Sequence, residues 1–580
     1  MMELLLLTFI PEIEANPYAM GGHWWFADSA RSTGAKWVRM WRADGGAEWG
    51  KIQPTSLDSF VWDEQDRWIR WADSSGFNIM LTVVSGGPEW QSVSPCKWID
   101  TTHIPEVDSL GWNWGKASYP PQDYDAWYNF IYELVSRYDG NTPDPKRPGQ
   151  FLPEVRYWEV VPEPDCWGYW YGTKETYFDM FVPTFVRAVR DANPNAVVVG
   201  PSLTGYSLAW AVVREMVDSG VDTSIIVNFY RSHKEYEPDD VWGWYHWNNI
   251  SDSLENNYQV RWRIQFVQYS FHDSTLYDKR GFHDYESWKT SPILIDYERR
   301  WMAQYGYSRP HWWTELGHCD DRQWKNIPEP EHAARTWKKM INAFSAGVEW
   351  MCYSPMFQPD LILPLYYHLN DDGDPWTPDT VGRPLEAKHS FAFIAGKINE
   401  QTGFKFARSD TISHSYLFWF TSDSMPSYTL MSAWADSGIV DTIKVQVPPG
   451  TQSATLYDYL GNPTNISFSD SVELILTWQP IMVEFYHTVG AVESKPGGRL
   501  SISLAPNPGK EGIGIIMNIS ETSDIILKLY DPTGRVVSVR EMGKMGPGEH
   551  QVFLPARPGV YFLELRAGRL RRVLKAVVGF

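Results

Sequence analysis

Two changes of hydrophobic rhythm divide the chain. Up to about Lys397, short β-branched and aromatic runs alternate with stretches whose apolar residues recur every three or four positions. The first kind predicts strands and the second amphipathic helices. Strands are expected at Tyr18–Phe26, Lys36–Trp41, Asn78–Val84, Val155–Val161, Ala196–Val199, Ser224–Tyr230, His311–Leu316 and Gly347–Tyr353. Helices are expected between them: Trp62–Ser75, Tyr124–Tyr138, Phe178–Val189, Ala209–Val217, Pro292–Tyr305, His332–Ser345 and Arg383–Lys397. Asn78–Val84 is almost wholly apolar, as a parallel strand covered on both faces would be.

Alternation of about eight strands and helices predicts an α/β fold, a (β/α)8 TIM barrel. The stretch exceeds the ~250 residues typical of such a barrel, so long loops are expected. An open doubly wound sheet is the alternative, but no glycine-rich nucleotide fingerprint follows any strand. After about Phe404 the rhythm shortens to alternating strands separated by turns. The expected division is therefore 1–16, a signal remnant or a plain N-terminal segment; 17–403, the barrel; 404–488, an accessory β-sandwich; 489–498, a linker; and 499–580, a second all-β domain.

Composition narrows the partners. A formal charge of −20 disfavours nucleic acid and anionic membrane surfaces. No apolar run reaches the ~20 residues of a membrane span. The chain has 32 Trp, more than packing alone usually recruits, and flat amphipathic rings suit sugars.

Two predicted strands end in a carboxylate. The fourth runs into Glu163, which is bracketed by Pro162 and Pro164, neither able to continue a central ladder. The seventh, His311-Trp-Trp-Thr-Glu315-Leu-Gly317, carries Glu315. At the C-terminal mouth of a barrel these two would face each other. Glycoside hydrolysis needs such a pair, one carboxyl to protonate the leaving oxygen and one to attack or to activate water. Each taken singly also reads as a rim carboxylate. His318-Cys319-Asp320 has no second cluster at ligand spacing, and Asn370-Asp-Asp-Gly-Asp374 lacks the distal Glu of a calcium loop, so neither metal nor cofactor is expected.

The order of several short motifs resembles retaining glycoside hydrolases of clan A, most closely family 39 with its β-xylosidases and iduronidase-like relatives. They are Lys36-Trp-Val-Arg39, Trp49-x-x-Ile52-Gln-Pro54, Pro88-x-Trp90, Tyr157-Trp-Glu-Val-x-x-Glu163-Pro-Asp165, Ser232-His233-x-x-Tyr236 and Thr314-Glu315-Leu-Gly317. The resemblance covers roughly residues 20–485. It implies Glu163 as general acid/base, Glu315 as nucleophile, Arg39 beside Glu315, and His233 with Tyr236 as the sixth-strand pair next to the nucleophile. Arg39 paired to a structural acid such as Glu159 is the plainer reading. Trp90, Trp167, Trp170 and Trp313 are sugar-platform candidates, with core packing the alternative for each. One position departs from the clan, which has Asn before the acid/base glutamate as a donor to the sugar 2-hydroxyl. This chain has Pro162, with no side-chain donor. A catalytically degenerate barrel acting as a cell-surface polysaccharide-binding protein is therefore the competing expectation.

The final segment resembles the C-terminal sorting domain of the type IX secretion system. It carries Ala505-Pro-Asn-Pro508, Leu529-Tyr-Asp-Pro-Thr-Gly-Arg535, Pro558-Gly-Val-Tyr-Phe562 and a basic end. A carbohydrate-binding β-sandwich is the alternative. The resemblance implies the secretion machinery as a partner and a secreted or cell-surface location. Export would allow Cys96 to pair with Cys166 and Cys319 with Cys352.

Overall fold

The computed structural model describes residues 18–21, 26–41, 45–84, 88, 90–91, 120–166, 169–233, 246–285, 287–317, 327–354, 365–369, 380–399, 401–487, 501–504, 512–519, 522–530, 536–556, 559–567 and 570–578. The chain divides into two compact units, Met1–Thr488 and Val489–Phe580.

Eight parallel strands close into a barrel within the first unit. They are β1 Tyr18–Gly21, β2 Trp37–Met40, β3 Asn78–Val84, β4 Tyr157–Val160, β5 Val197–Thr204, β6 Lys279–Asp284, β7 His311–Leu316 and β8 Val348–Tyr353. Each pairs with the next, and β1 pairs with β8 to close the ring. Helices cover the outside. Among them are α1 Asp63–Ser74, α2 Tyr124–Arg137, α3 Val182–Ala192, α4 Gly205–Asp218, α5 Thr223–His233, α6 Tyr258–Tyr269, α7 Ser291–Gln304, α8 Glu329–Ser345 and α9 Glu386–Lys397. Their starts follow from local chemistry. Asp123 accepts the N–H groups of Asp125 and Ala126 to cap α2, and Thr204 accepts that of Ser207 to cap α4.

The barrel interior is layered because alternate residues of a strand face inward. Its floor is Ala19, Trp37, Met80, Tyr157, Val199, Trp312, Trp350 and Cys352. The four rings pack on one another, with Trp312 stacked on Trp350 at 4.8 Å and Trp37 edge-on to Tyr157 at 4.8 Å. Two residues further along the strands lie Arg39, Thr82, Glu159 and Thr314, all buried. A polar layer thus sits directly above an aromatic one.

One strand differs from the sequence expectation. Ser224–Tyr230 is helical, part of α5. Its buried residues Ile226, Phe229, Tyr230 and His233 fall at i, i+3, i+4 and i+7, one helix face. The sixth barrel strand is instead β6, Lys-Arg-Gly-Phe-His-Asp, in a stretch where the hydrophobic pattern predicts no strand. Its buried charges are paired: Arg280 with Glu298 at 2.8 Å, and Asp284 with Lys339 at 3.2 Å.

Strands Phe404–Ile412, Ser415–Ser422, Tyr428–Ala435, Ile481–His487, Thr451–Tyr457 and Pro463–Ile466 form an antiparallel sheet. One face, with Leu417, Trp419, Met431 and Phe485, packs on the two-stranded antiparallel sheet of Asp441–Gln446 and Ser471–Leu476. The other face, with Phe418, Phe420, Leu430 and Trp434, joins the barrel's core. Period-two alternation thus makes the sheet a shared wall. Trp337 of α8 donates its Nε1–H to Ser432 at 2.8 Å across it.

The second unit has its own sheets, one of three strands and one of four. Ile513, Ile515, Met517, Ile525, Leu527, Leu529, Leu563 and Leu565 form its core. Among the described residues, no helix is long and apolar enough to cross a membrane.

Candidate active site

The C-terminal ends of β4, β6 and β7 bring three titratable groups together. One oxygen each of Glu163 and Glu315 and a ring nitrogen of His283 lie within 4.8 Å of one another. The two carboxylates keep 16% and 13% of their side-chain surface, so they stand at the mouth, open to a ligand.

Glu163 follows β4 across Pro162. Its backbone is left-handed, with φ +52°, and its N–H donates to the Ser202 carbonyl at 2.9 Å. Left-handed backbone is costly for a residue with a Cβ and persists where the surroundings impose it. Here prolines flank the residue and β5 holds its amide.

Glu315 faces inward because β7 is bulged. Phe282 lies opposite Trp313 and His283 opposite Glu315, so Thr314 is the extra residue. A bulge resets the alternation and re-aims the side chains beyond it. Arg39 Nη1 donates to Glu315 Oε1 at 2.6 Å, and the Tyr285 hydroxyl donates to Oε2. Gly317 makes room for that tyrosine, since a Cβ there would stand 2.8 Å from its ring.

His283 Nδ1 lies 2.7 Å from Glu163 Oε1 and 3.4 Å from Glu315 Oε2. An N–H at Nδ1 therefore donates to the carboxylate pair. Arg39 has a second partner below, since its Nε donates to Glu159 Oε2 at 2.7 Å. The two readings of Arg39, beside Glu315 or paired to a structural acid, are thus both realised.

These contacts separate the two carboxyls. Burial, together with the charge of Glu315, raises Glu163 above the ordinary carboxylate range despite the opposing contact of His283. Burial would also raise Glu315, but His283, Arg39 and the hydroxyl of Tyr285 outweigh it and hold Glu315 below that range. Burial would lower His283, but the two glutamates outweigh it and raise it. One carboxyl is poised to carry a proton and the other to stay ionised. The triad's atoms are close enough for a cation, although the Arg39 guanidinium already supplies positive charge there.

Other expected site residues lie elsewhere. His233 is buried on α5, its Nδ1 3.0 Å from the Thr290 hydroxyl, and does not reach the carboxylates because the segment is helical. Its proposed partner Tyr236 lies outside the described residues, as do Trp167, His318–Asp320, Asn370–Asp374 and Cys96. Trp170 is core, packed on Tyr177 and Phe181. Trp313 is also core, edge-on to Phe282. Neither ring has a free face for a sugar. Trp90 is half-buried, with Nε1–H donating to the Gln53 carbonyl at 3.0 Å. Cys352 is a free thiol buried in the barrel floor, so the expected bridge to Cys319 is not formed.

Sequence reading missed His283 and Tyr285. The signal was present as Phe282-His-Asp-Tyr285, but flanking charges hid the strand. It also missed Trp41, whose ring lies 5.5 Å from the Arg39 guanidinium and 6.0 Å from the ring of Tyr169.

No family profile matches the chain. Over 129 residues, 22% of its length, the chain is 30% identical to a β-xylosidase of Geobacillus stearothermophilus. The match spans 23% of that relative, about a quarter of its length. Among solved structures, a family 39 glycoside hydrolase from Bacteroides cellulosilyticus WH2 is 12% identical with a TM-score of 0.48, covering 82% of each chain. A GH39 β-xylosidase from Caulobacter crescentus is 12% identical with a TM-score of 0.47, covering 82% of this chain and 96% of its own. A family 51 α-L-arabinofuranosidase from Bifidobacterium longum is 12% identical with a TM-score of 0.46, covering 80% and 89%. At these levels the chemistry rests on the geometry of the site.

Proposed function

We propose that the protein is a glycoside hydrolase that cleaves β-glycosidic bonds with retention of configuration. The observation that carries this reading is the pair Glu163 and Glu315 at a barrel mouth, close together and pushed to opposite sides of the ordinary carboxylate range. Retaining enzymes hold their carboxyls ~5–5.5 Å apart, and inverting ones ~6.5–9.5 Å to admit a water. Oxygens within 4.8 Å favour the shorter class. The local match to a β-xylosidase is consistent with it.

In this mechanism Glu315 attacks the anomeric carbon while Glu163 protonates the departing oxygen. Glu163, now ionised, takes a proton from the water that releases the sugar. Arg39 and Tyr285 keep Glu315 ionised, and His283 spans both carboxylates. No metal or cofactor enters these steps. The C-terminal unit is proposed to serve as a type IX sorting domain, which would place the enzyme outside the cell.

The test is turnover of a panel of aryl β-glycosides and β-linked plant or algal polysaccharides. Wild type should release sugar with retained configuration by NMR. Glu163→Ala and Glu315→Ala should not turn over natural substrates. Pro162 favours a second reading, since no side-chain donor precedes Glu163. Polysaccharide binding without turnover on any substrate would establish that reading instead.

A further inference from the structure

Behind the carboxylates, β5 carries a second bulge. Pro201 lies opposite Gly281 and Leu203 opposite Phe282, so Ser202 is the extra residue. Its φ is +49°, the same left-handed region as Glu163. Ser202 is fully buried and hydrogen-bonded on every side. Its carbonyl accepts the Glu163 N–H at 2.9 Å. Its hydroxyl donates to Glu159 Oε1 at 2.6 Å and accepts from the Thr314 hydroxyl at 2.9 Å.

Two routes therefore connect the glutamates through this residue. One is Glu163 to Ser202 to Thr314, the immediate neighbour of Glu315. The other is Ser202 to Glu159 to Arg39 to Glu315, with Thr82 donating to Glu159 Oε2 at 2.6 Å. The hydrogen bonds along both routes are buried or partly buried, several of them charge-assisted, so little slack remains. Gly281 is part of the device, because a Cβ there would stand 2.4 Å from Ser202 Oγ.

Resting on the glycosidase reading above, we infer that Ser202 is a positioning residue that sets the separation of Glu163 and Glu315. The two bulges share one hydroxyl–hydroxyl contact, so the aim of each glutamate depends on the other. Ser202 touches no reacting atom.

The experiment compares full-length wild type with Ser202→Ala, Ser202→Gly and Gly281→Ala. Steady-state kinetics on the best panel substrate and crystal structures of wild type and Ser202→Ala are the readouts. Ser202→Gly relieves the left-handed backbone while removing the hydroxyl, so it separates loss of the hydrogen bonds from misfolding. The expected result is a fall in kcat on the order of 10- to 100-fold with little change in KM, as for a misplacement of about 1 Å. The alkaline limb of the pH profile should move to lower pH, because Glu163 feels less of Glu315 once they part. The crystal structure should show the carboxylates further apart. Wild-type kcat and an unmoved limb in both Ser202 variants would overturn the inference. So would lost activity with unmoved limb and unchanged separation. A wild type that turns over nothing would refute the glycosidase reading, and the Ser202→Ala structure would still decide the positioning role.

Discussion

Tyr285 shows how a single hydroxyl reaches into a pH profile. It donates to Glu315 and so favours the ionised carboxylate. In Tyr285→Phe that donor is gone and the pKa of Glu315 rises. The acid limb of kcat/KM should then move to higher pH while the alkaline limb, set by Glu163, stays nearer its place. A limb that moves the other way, or not at all, would show that Tyr285 does not hold Glu315 ionised. Glu163 admits a different test. In the proposed mechanism, Glu163→Gln removes the proton donor but not the attack by Glu315. Turnover of glycosides with poor leaving groups should drop about 10²- to 10⁴-fold, the range of general acid catalysis, with a much smaller loss in the burst from an activated leaving group. Equal losses on both would argue against Glu163 as the acid.

At the scale of elements, strand ends and packed layers do the positioning. Trp312 occupies the aromatic floor beneath the polar layer, between Tyr157 and Trp350. Trp312→Ala should destabilise the barrel by about 3–5 kcal/mol, the usual cost of deleting a buried large ring, read as an earlier thermal transition. Lys339 is fully buried on α8, with Nζ 3.2 Å from Asp284 and 3.0 Å from the Gly317 carbonyl. It ties together the ends of β6 and β7 next to Tyr285 and Glu315. Lys339→Met leaves Asp284 buried without its cation and should cost about 3–5 kcal/mol. Thermal melts of the two variants that matched wild type would sink both assignments.

At the scale of the whole molecule, the separate hydrophobic core of the C-terminal unit predicts separable behaviour. The barrel shares one core with its accessory sheet through Phe418, Phe420 and Trp434, whereas the C-terminal unit has its own. A chain ending at Thr488 should melt at the same temperature as the first unit of the full chain and keep kcat within about twofold, since each unit is built on its own core. Cuts inside Phe404–His487 should instead collapse the barrel, because they strip a wall of its core. Loss of activity on removal of 489–580 would mean that the unit contributes to catalysis.

Much of this was legible in the residue pattern. The barrel class, seven of the eight strand positions and the carboxylates at the ends of β4 and β7 follow from periodicity, proline placement and the chemistry of paired carboxyls. The eighth position was hidden for a physical reason. Hydrophobic patterning assumes that buried means apolar, and β6 buries Arg280, His283 and Asp284 against Glu298, Glu163 and Lys339, all distant in sequence. The β-branched run of α5 misled in the opposite sense, because its burial repeats at helical spacing. Platform candidates such as Trp170 and Trp313 could not be told from core until their neighbours were known. The chain alone determined the alternation of elements and which residues have the chemistry to react. Tertiary structure alone decided which histidine meets them, how two bulges turn Ser202 and Thr314 toward each other, and hence how far apart the glutamates stand. Those depend on contacts between strands whose partners no local pattern records.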